Sequence, residues 1–331
     1  MIFVKQIITA ALATFGIFAL IFLLRATDIY PKKMSLNLVS AKLVNRPPLQ
    51  VREEQNDMRW GAYPGSTVDQ KKEFEEKIGR KPDMIASFVM WSDEKGFPTE
   101  IVNDAKANNQ TSVFYWESRD EVDRNLNDKK YSYDAIIGGE WDNYINSFAK
   151  SIEESKQNII LIPFIEMNGN WYPWSITKNN NSAQKHILAY RKIHEMLGSI
   201  PNLKLGWVVN NGSAPDTPEN NILNLYPGDE YVDYVGVDGF NFGSPWEDFD
   251  QVFGQSLSQL KTLNKPIMIF SMASSDGERK SEWIDDMGKQ LLKHPEVVGF
   301  VWFNEDKERD WRIWSDPESL ESFQEMLKEI K

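Results

Sequence analysis

The sequence of 331 residues contains no cysteine and few histidines, which limits its chemistry. Without cysteine there are no disulfide bonds and no thiolate metal sites. The three histidines, His186, His194 and His294, have no carboxylate cluster beside them. We therefore predict no metal site, no cofactor and no catalytic histidine. Phosphate-cradling glycine-rich loops are also absent.

Positive charge is scarce as well. The chain has 37 lysines and arginines against 49 acidic residues, which gives a formal net charge of -12. Binding to phosphate requires a basic surface, so nucleic acid is not an expected partner. Tryptophan, in contrast, is abundant, with 12 residues. These indoles can fill a core, or they can stack on the C–H faces of sugar rings.

The N-terminus predicts a membrane segment. Residues 7–24 form an almost unbroken apolar stretch between Lys5 and Arg25, about as long as a bilayer core requires. We predict a membrane anchor or signal segment at 1–25, a linker at 26–55 and one folded domain at 56–331. No clear cleavage site follows the apolar stretch, so we favour an uncleaved single-pass anchor with an extracellular domain. Cleavage would instead give a secreted protein.

From Met58 onward, short apolar runs alternate with helical patterns, which is typical of an α/β fold with a parallel sheet. The eight predicted strands are 58–63, 84–91, 112–116, 159–164, 203–209, 234–237, 266–270 and 297–303. A helical segment follows each strand, although the fifth, near Leu223, is weak. The first helix carries a capping box formed by Thr67 and Gln70. This count predicts a single (β/α)8 TIM barrel, for which about 250 residues suffice.

The fourth strand has the most polar and aromatic end. Glu166 follows a buried strand and is flanked by Asn168, Trp171, Tyr172 and Trp174. Active sites of such barrels lie at the carboxyl ends of the strands. Apolar surroundings raise the pKa of a carboxyl, as a general acid on a glycosidic oxygen requires. The alternative is a glutamate that only caps a loop.

Six separated segments, in the correct order, resemble glycoside hydrolase family 26, the retaining β-mannanases and their β-glucanase relatives. The resemblance covers about residues 58 to 330. The segments are Trp60–Gly65, Trp116–Glu117, Phe164–Trp174, Tyr226–Asp233 with Gly236–Asn241, Lys265–Ile269, and Trp302–Lys307 with Asp310–Trp311.

The resemblance implies a role for two strand ends. Glu166 takes the position of the family's acid/base, whereas Ser271 occupies that of the nucleophilic glutamate. Ile162 and Ile165 stand where the family has an arginine and a histidine, and Phe240 stands where a tyrosine normally bonds the nucleophile. Four polar positions around one carboxylate have therefore become apolar or uncharged.

A retaining glycosidase needs two carboxyl groups about 5 Å apart. Serine is short, neutral and unactivated here, so we expect retaining hydrolysis to be lost or very weak. An inverting reaction would need a replacement base, for which Asp238, Glu117, Asp276 and Glu278 are the candidates. For the last two, a solvated loop carboxylate is the simpler interpretation.

Binding a sugar does not require the nucleophile. The predicted substrate-binding residues lie at strand ends or just beyond: Trp171, Trp302, Asp238, Phe240, Asn168, Trp174 and Trp116. Trp171 and Trp302 are the preferred aromatics, because they match sugar-contacting positions of the family. Each tryptophan could pack in the core instead.

Three hypotheses follow. The first is a membrane-tethered barrel that binds a β-linked polysaccharide, of mannan or glucan type, with little or no hydrolysis. The second is an active endo-β-1,4-mannanase or β-glucanase with Glu166 as acid and a replacement base. The third is a structural component of an envelope polysaccharide machine, with envelope proteins as its partners.

Overall fold

The computed structural model describes residues 58–91, 96–121, 123 and 125–330. The predicted anchor (1–25) and nearly all of the region up to the barrel, including the linker (26–55), lie outside these ranges. Within them, no helix combines the length and the apolar character that crossing a bilayer demands.

Eight parallel strands form a closed barrel in the order of the chain. The strands β1 to β8 are Arg59–Tyr63, Met84–Met90, Thr111–Glu117, Ile159–Pro163, Leu203–Asn210, Tyr234–Asn241, Ile267–Ser274 and Val297–Phe303. The ring closes because β1 pairs with β8 along its whole length. The predicted (β/α)8 barrel is thus confirmed.

Strands β6 and β7 are longer than the apolar pattern predicts. Each continues for four residues past its predicted end, so Asp238 and Ser271 lie inside strands rather than in loops. Both side chains are buried. The pattern ended these strands early because a polar residue normally marks a strand's end, whereas these polar residues face the interior of the barrel mouth.

The helices α1 to α8 are Val68–Ile78, Thr99–Ala107, Tyr133–Gly138, Asp142–Ser155, Ala183–Leu197, Phe249–Lys261, Lys280–Lys293 and Pro317–Glu329. The capping box is present at the start of α1. The Thr67 side chain accepts from the Gln70 backbone amide, and the Gln70 side chain accepts from the Thr67 backbone amide. Short 3₁₀ turns replace the weak fifth helix, at Pro218–Asn220, Ile222–Leu225 and Asp229–Tyr231. The prediction of a helix near Leu223 was therefore wrong in type.

Apolar side chains fill the barrel interior beneath the mouth. A Cβ added to Gly236 would stand 2.4 Å from the Phe270 ring, so this position needs glycine. Ile162 and Phe270 also lie 3.0 and 3.4 Å from where a Cβ on Gly206 would be. The position of the family's arginine, Ile162, is thus part of an apolar floor below the strand ends.

Candidate active site

A groove crosses the carboxyl ends of the strands. One part, which we call the inner groove, encloses about 510 Å³. Its lining consists of Phe88, Ile165, Glu166, Trp171, Tyr172, Asn210, Asn211, Asp238, Phe240, Phe242, Glu247, Ser271, Phe303, Lys307, Glu308 and Trp311. A second part of about 920 Å³, the outer groove, shares Phe88, Tyr172, Phe303 and Lys307 with it. The two parts therefore adjoin along these residues.

Five of the nine predicted site residues meet in the inner groove: Glu166, Trp171, Asp238, Phe240 and Ser271. They come from the β4 end, from β6 and from β7. A barrel brings the carboxyl ends of distant strands to one face, which is why residues about 100 positions apart converge here.

A strained turn carries Glu166. Strand β4 ends at Pro163, and both Phe164 (φ 58°) and Glu166 (φ 55°) then adopt left-handed backbone conformations. Such conformations are unfavourable for residues with a Cβ and persist only where the surroundings enforce them. Here the Glu166 amide donates to the Val208 carbonyl at 2.9 Å, which pins the turn to β5. This bond to β5 therefore holds the strained turn, and with it the carboxyl, at the mouth of the barrel.

Trp171 covers the Glu166 carboxyl. Its Nε1 donates to Glu166 Oε2 at 2.7 Å, while 39% of the residue remains exposed. The indole reaches back over Gly169, where a Cβ would stand 2.5 Å from the ring. Gly169 is therefore required for this close approach, and Trp171 can both orient the acid and offer a face to a ligand.

The surroundings of Glu166 raise its pKa to about 7. Burial is the largest cause, and the negative charge of Glu117 adds to it, whereas the Trp171 bond and Lys307 act in the opposite direction. A carboxyl with a pKa near 7 keeps a proton for a substantial fraction of the time at neutral pH. That is the property of a general acid.

Asp238 and Ser271 are register partners on β6 and β7. Asp238 is 1% exposed and Ser271 is 5% exposed. Asp238 Oδ1 has no hydrogen-bond partner among the described residues. Burial, and secondly the charge of Glu166, raise the pKa of Asp238 well above its ordinary value. The two acids thus influence each other's ionisation.

No histidine lines the inner groove, so none acts as a base for Ser271. His186 is buried between Tyr133 and Trp207, at 2.8 and 3.2 Å, and burial lowers its pKa to about 3. It is thus a neutral core residue. Across the described ranges, no group of three or more histidines and carboxylates could hold a metal ion.

Three predicted sugar-binding tryptophans lie in the core rather than along the groove. Trp116 packs between β3 and α4 against Phe148, and Trp302 packs between β8 and the helices against Trp283 and Phe323. Trp174 donates to the Ile165 carbonyl at 2.6 Å. All three are fully buried. They present no ring face to the groove, so the proposals below do not use them.

Asn168 is also buried, and its amide joins two strand ends. Its Nδ2 donates to the Asn210 carbonyl at 3.0 Å, and its Oδ1 accepts from the Asn210 amide at 2.8 Å. Further contacts reach Gly212 and Ser213. These bonds occupy the amide with backbone groups, so Asn168 braces the β4 end against the β5 end.

Several residues that line the groove were not predicted from the sequence. Phe242 directly follows the last residue of β6, two positions after Phe240, and is 48% exposed. Its ring centroid lies 5.1 Å from that of Trp311. Asn210 ends β5 and Asn211 follows it, and both line the inner groove. The alternation of a longer β6 would have revealed Phe242, had the strand not been ended at residue 237.

The outer groove contains the other candidate base on a strand. Glu117 is buried at the end of β3, where Arg119 Nη2 lies 2.7 Å from its Oε2. Burial still raises the pKa of Glu117 despite this pairing. Asp276 and Glu278 are exposed and do not line the inner groove.

Comparison with known proteins places this geometry among carbohydrate-active enzymes. The family model described as Glycosyl hydrolase family 26 matches residues 75–313. Endoglucanase H of Acetivibrio thermocellus is 32% identical over 282 residues, which cover 82% of this chain and 30% of that protein. A mannan endo-1,4-beta-mannosidase of Bacillus subtilis (strain 168) is 25% identical over 162 residues, covering 47% of this chain and 42% of that protein. The chain thus spans less than half the length of these relatives.

A solved structure agrees in fold. The GH26 beta-mannanase from Bacteroides ovatus superposes with a TM-score of 0.61 at 16% identity, covering 83% of this chain and 90% of that chain. At this identity the similarity concerns the fold alone.

Proposed function

We propose a function for this chain on the premise that it belongs to glycosyl hydrolase family 26, whose model matches well over half of its length. The groove binds a β-linked polysaccharide of glucan or mannan type, and retaining hydrolysis is lost or very weak. One observation carries the proposal: the inner groove retains an oriented acid, Glu166, whereas the β7 end offers only Ser271.

The loss of retaining hydrolysis follows from the chemistry of serine. The retaining route needs a second carboxylate that attacks the anomeric carbon and stabilises the positive charge of the transition state. Ser271 is neutral, and no histidine lines the inner groove to accept its proton. Asp238, beside it, is nearly sealed from the groove and disfavoured in its ionised form. Neither residue therefore replaces the missing nucleophile.

The choice of glycan draws on the relatives and on the shape of the groove. Their names describe an endoglucanase and mannan endo-1,4-beta-mannosidases. An extended groove with half-exposed aromatics such as Trp171 and Phe242 suits a polymer, since pyranose faces stack on flat rings. Residues 7–24 would tether the barrel to the cell membrane, where such a polymer is synthesised or displayed.

Calorimetric titration with cellohexaose and mannohexaose tests binding. We expect binding in the micromolar to millimolar range, reduced about tenfold by Trp171→Ala, because the stacking surface is lost. Leu188→Ala, an exposed apolar position on α5, is the matched control and should bind like the parent. A reducing-end assay on mannan, glucomannan and mixed-linkage glucan should detect no release. Absence of binding to every glycan, or a Trp171→Ala variant that binds like the parent, would contradict the proposal.

A second candidate function is inverting hydrolysis with Glu166 as acid and Asp238 as base. It is favoured by one observation, the location of both acids in one groove with interacting charges. Water would attack the anomeric carbon, Asp238 would take its proton, and Glu166 would protonate the leaving oxygen. Proton NMR of freshly cleaved oligosaccharide tests this route, because it would reveal the α-anomer first. Both Glu166→Gln and Asp238→Asn should then abolish cleavage.

A further inference from the structure

An exposed aromatic ring of the inner groove belongs to the loop that joins β6 to α6. Phe242 lines this groove and is 48% exposed. Its ring centroid lies 5.1 Å from that of Trp311 and 6.2 Å from that of Phe240. Phe242 is the most exposed member of this cluster, because Trp311 is almost completely covered and Phe240 is partly buried. A ring that is packed on its neighbours yet open to the groove can stack on the C–H face of a pyranose.

The same loop brings a carboxylate to the groove. Glu247 follows Phe242 in this loop, and both line the inner groove. Asn241 is fully buried and folds the loop, because its Oδ1 accepts from the backbone amides of Gly243 and Glu247 at 3.0 and 3.1 Å. Glu308, from the loop after β8, lines the groove as well. Carboxylates accept hydrogen bonds from sugar hydroxyls, so this part of the groove combines an apolar ring with acceptors.

Lys280, the first residue of α7, holds the neighbouring loop between β8 and α8. It is fully buried, and its Nζ donates to the carbonyls of Asp310 and Arg312 at 3.0 and 2.6 Å. The same Nζ donates to Ser315 Oγ at 3.0 Å. An ammonium has three N–H donors, so these three acceptors use all of them. Burial lowers the pKa of Lys280 to about 8, which leaves most of this side chain charged at about pH 7.

Trp311 lies between two of these acceptors. Its own carbonyl accepts from Trp302 Nε1 at 2.9 Å, so the successive carbonyls of residues 310, 311 and 312 are all bound by buried side chains. The Trp311 backbone therefore has a fixed place, and its ring contacts Phe242. Arg309, in the same loop, donates from Nε to the Phe242 carbonyl at 3.4 Å. Phe242 is thus packed against a loop that Lys280 holds.

The start of α7 also holds the loop that carries Phe242. Trp283 Nε1 donates to the Glu247 carbonyl at 3.1 Å. The Arg279 guanidinium lies 4.3 Å from the centre of the Trp246 ring. Both loops are therefore attached to the same end of one helix. A side chain that is fixed before the ligand arrives avoids the entropy cost of ordering it on binding, so the Phe242 ring is preorganised.

We propose that Phe242 and Glu247 form a further sugar-binding subsite of the inner groove. Lys280 is its positioning residue, because it holds the Phe242 ring through Trp311. The ligand of this subsite is a neutral pyranose residue, which stacks its C–H face on the ring and donates a hydroxyl to the carboxylate. A neutral sugar fits because Glu247 and Glu308 would repel a uronic acid. This subsite rests on the proposed glycan binding and adds a second contact point to it.

Calorimetric titration of the full chain with cellohexaose and mannohexaose at about pH 7 tests the subsite. Phe242→Ala should weaken binding of the hexaose that the parent binds by about fivefold, because the stacking surface is lost. Phe242→Trp restores a flat ring and should bind within about twofold of the parent. Leu223→Ala, at an exposed apolar position outside the inner groove, is the matched control and should bind like the parent.

A double-variant cycle tests the role of Lys280. Lys280→Met removes the three donors and should weaken hexaose binding about as much as Phe242→Ala does. In the Phe242→Ala background the same change should add less than about twofold, because Lys280 acts through the ring. Ser315→Ala removes one acceptor of the ammonium and should show the same non-additivity with a smaller loss, which keeps the test if Lys280→Met folds poorly. Losses that multiply in the double variants would overturn the positioning role.

The outcomes separate this subsite from glycan binding as a whole. A parent that binds a hexaose, with Trp171→Ala weakened and Phe242→Ala unchanged, overturns the subsite and leaves the proposed function intact. A Phe242→Trp variant that binds as weakly as Phe242→Ala would contradict stacking on this ring. If neither hexaose binds the parent, the proposed function fails and the subsite fails with it.

Discussion

The ends of β4 and β7 both contribute to the inner groove and are built differently. Strand β4 stops at Pro163, and a strained turn presents Glu166 under the Trp171 indole. Strand β7 runs on through Ser274, with all eight of its residues buried. The β4 end is thus elaborately supported, whereas the β7 end is ordinary strand. Backbone strain of this kind clusters at functional sites, which is consistent with the proposed binding at Glu166.

The largest effect is expected from restoring a carboxyl on the β7 side. Ser271→Glu adds a buried charge beside Asp238 and opposite Glu166. We expect the free energy of unfolding to fall by about 3 kcal/mol at about pH 8, and by less at about pH 5, because desolvation and like-charge repulsion act on the ionised form. Urea denaturation at both pH values measures this. Ser271→Gln, of similar size, is the control; equal losses for both variants would mean that β7 tolerates a carboxylate.

The next prediction concerns Asn168, whose side chain joins the end of β4 to the end of β5. Asn168→Ala removes four contacts from a fully buried amide. It leaves backbone groups of the β5 end unpaired, so we expect a loss of about 2–3 kcal/mol of unfolding free energy. Asn224→Ala is the matched control, because Asn224 is exposed and its amide makes one bond, to the Pro218 carbonyl. A loss no larger than that of the control would show that Asn168 does not brace the mouth.

The pH dependence of stability sharpens the comparison further. Glu166 has a raised pKa of about 7 in the folded chain, against 4.5 ordinarily. Between these values the folded state holds a proton that the unfolded state has released, so stability falls as pH rises through this window. The free energy of unfolding should therefore decrease less across this pH window in Glu166→Gln than in the parent, by about 1–3 kcal/mol. Glu154→Gln, at an exposed site on α4, should leave the slope unchanged. Parallel curves for parent and Glu166→Gln would refute the raised pKa.

The smallest expected effect concerns the hydrogen bond from Trp171 to Glu166. Trp171→Phe keeps an aromatic face but removes the Nε1 donor from Glu166 Oε2. Since that bond lowers the pKa of Glu166, the pKa should rise further in the variant. Carbon-13 NMR titration of the Glu166 carboxyl measures the change, with Trp314→Phe, outside the inner groove, as the aromatic control. An unchanged or lowered pKa would contradict the role of this bond.

The sequence predicted the place of Glu166 after β4 well, because two independent signals coincide there. A continuous apolar run requires a strand buried on both faces, and the first carboxyl after it must lie at the barrel mouth. The helix cap at Thr67 was equally predictable, because it depends on residues three positions apart. In contrast, the predicted ends of β6 and β7 came too early. In the sequence alone, polar residues that are buried within a strand look the same as polar residues of a turn.

The amino-acid sequence by itself determined the eightfold alternation, the acid at the fourth strand's end and the serine at the seventh, because these depend on local patterns and order. Only the tertiary structure decided which aromatics border the groove. In a parallel barrel both faces of a strand are apolar, so the sequence does not tell whether an indole faces the helices, as Trp116 and Trp302 do, or the mouth. The meeting of Asp238 with Ser271 likewise depends on the register between β6 and β7, which shifts between Val237 and Asp238.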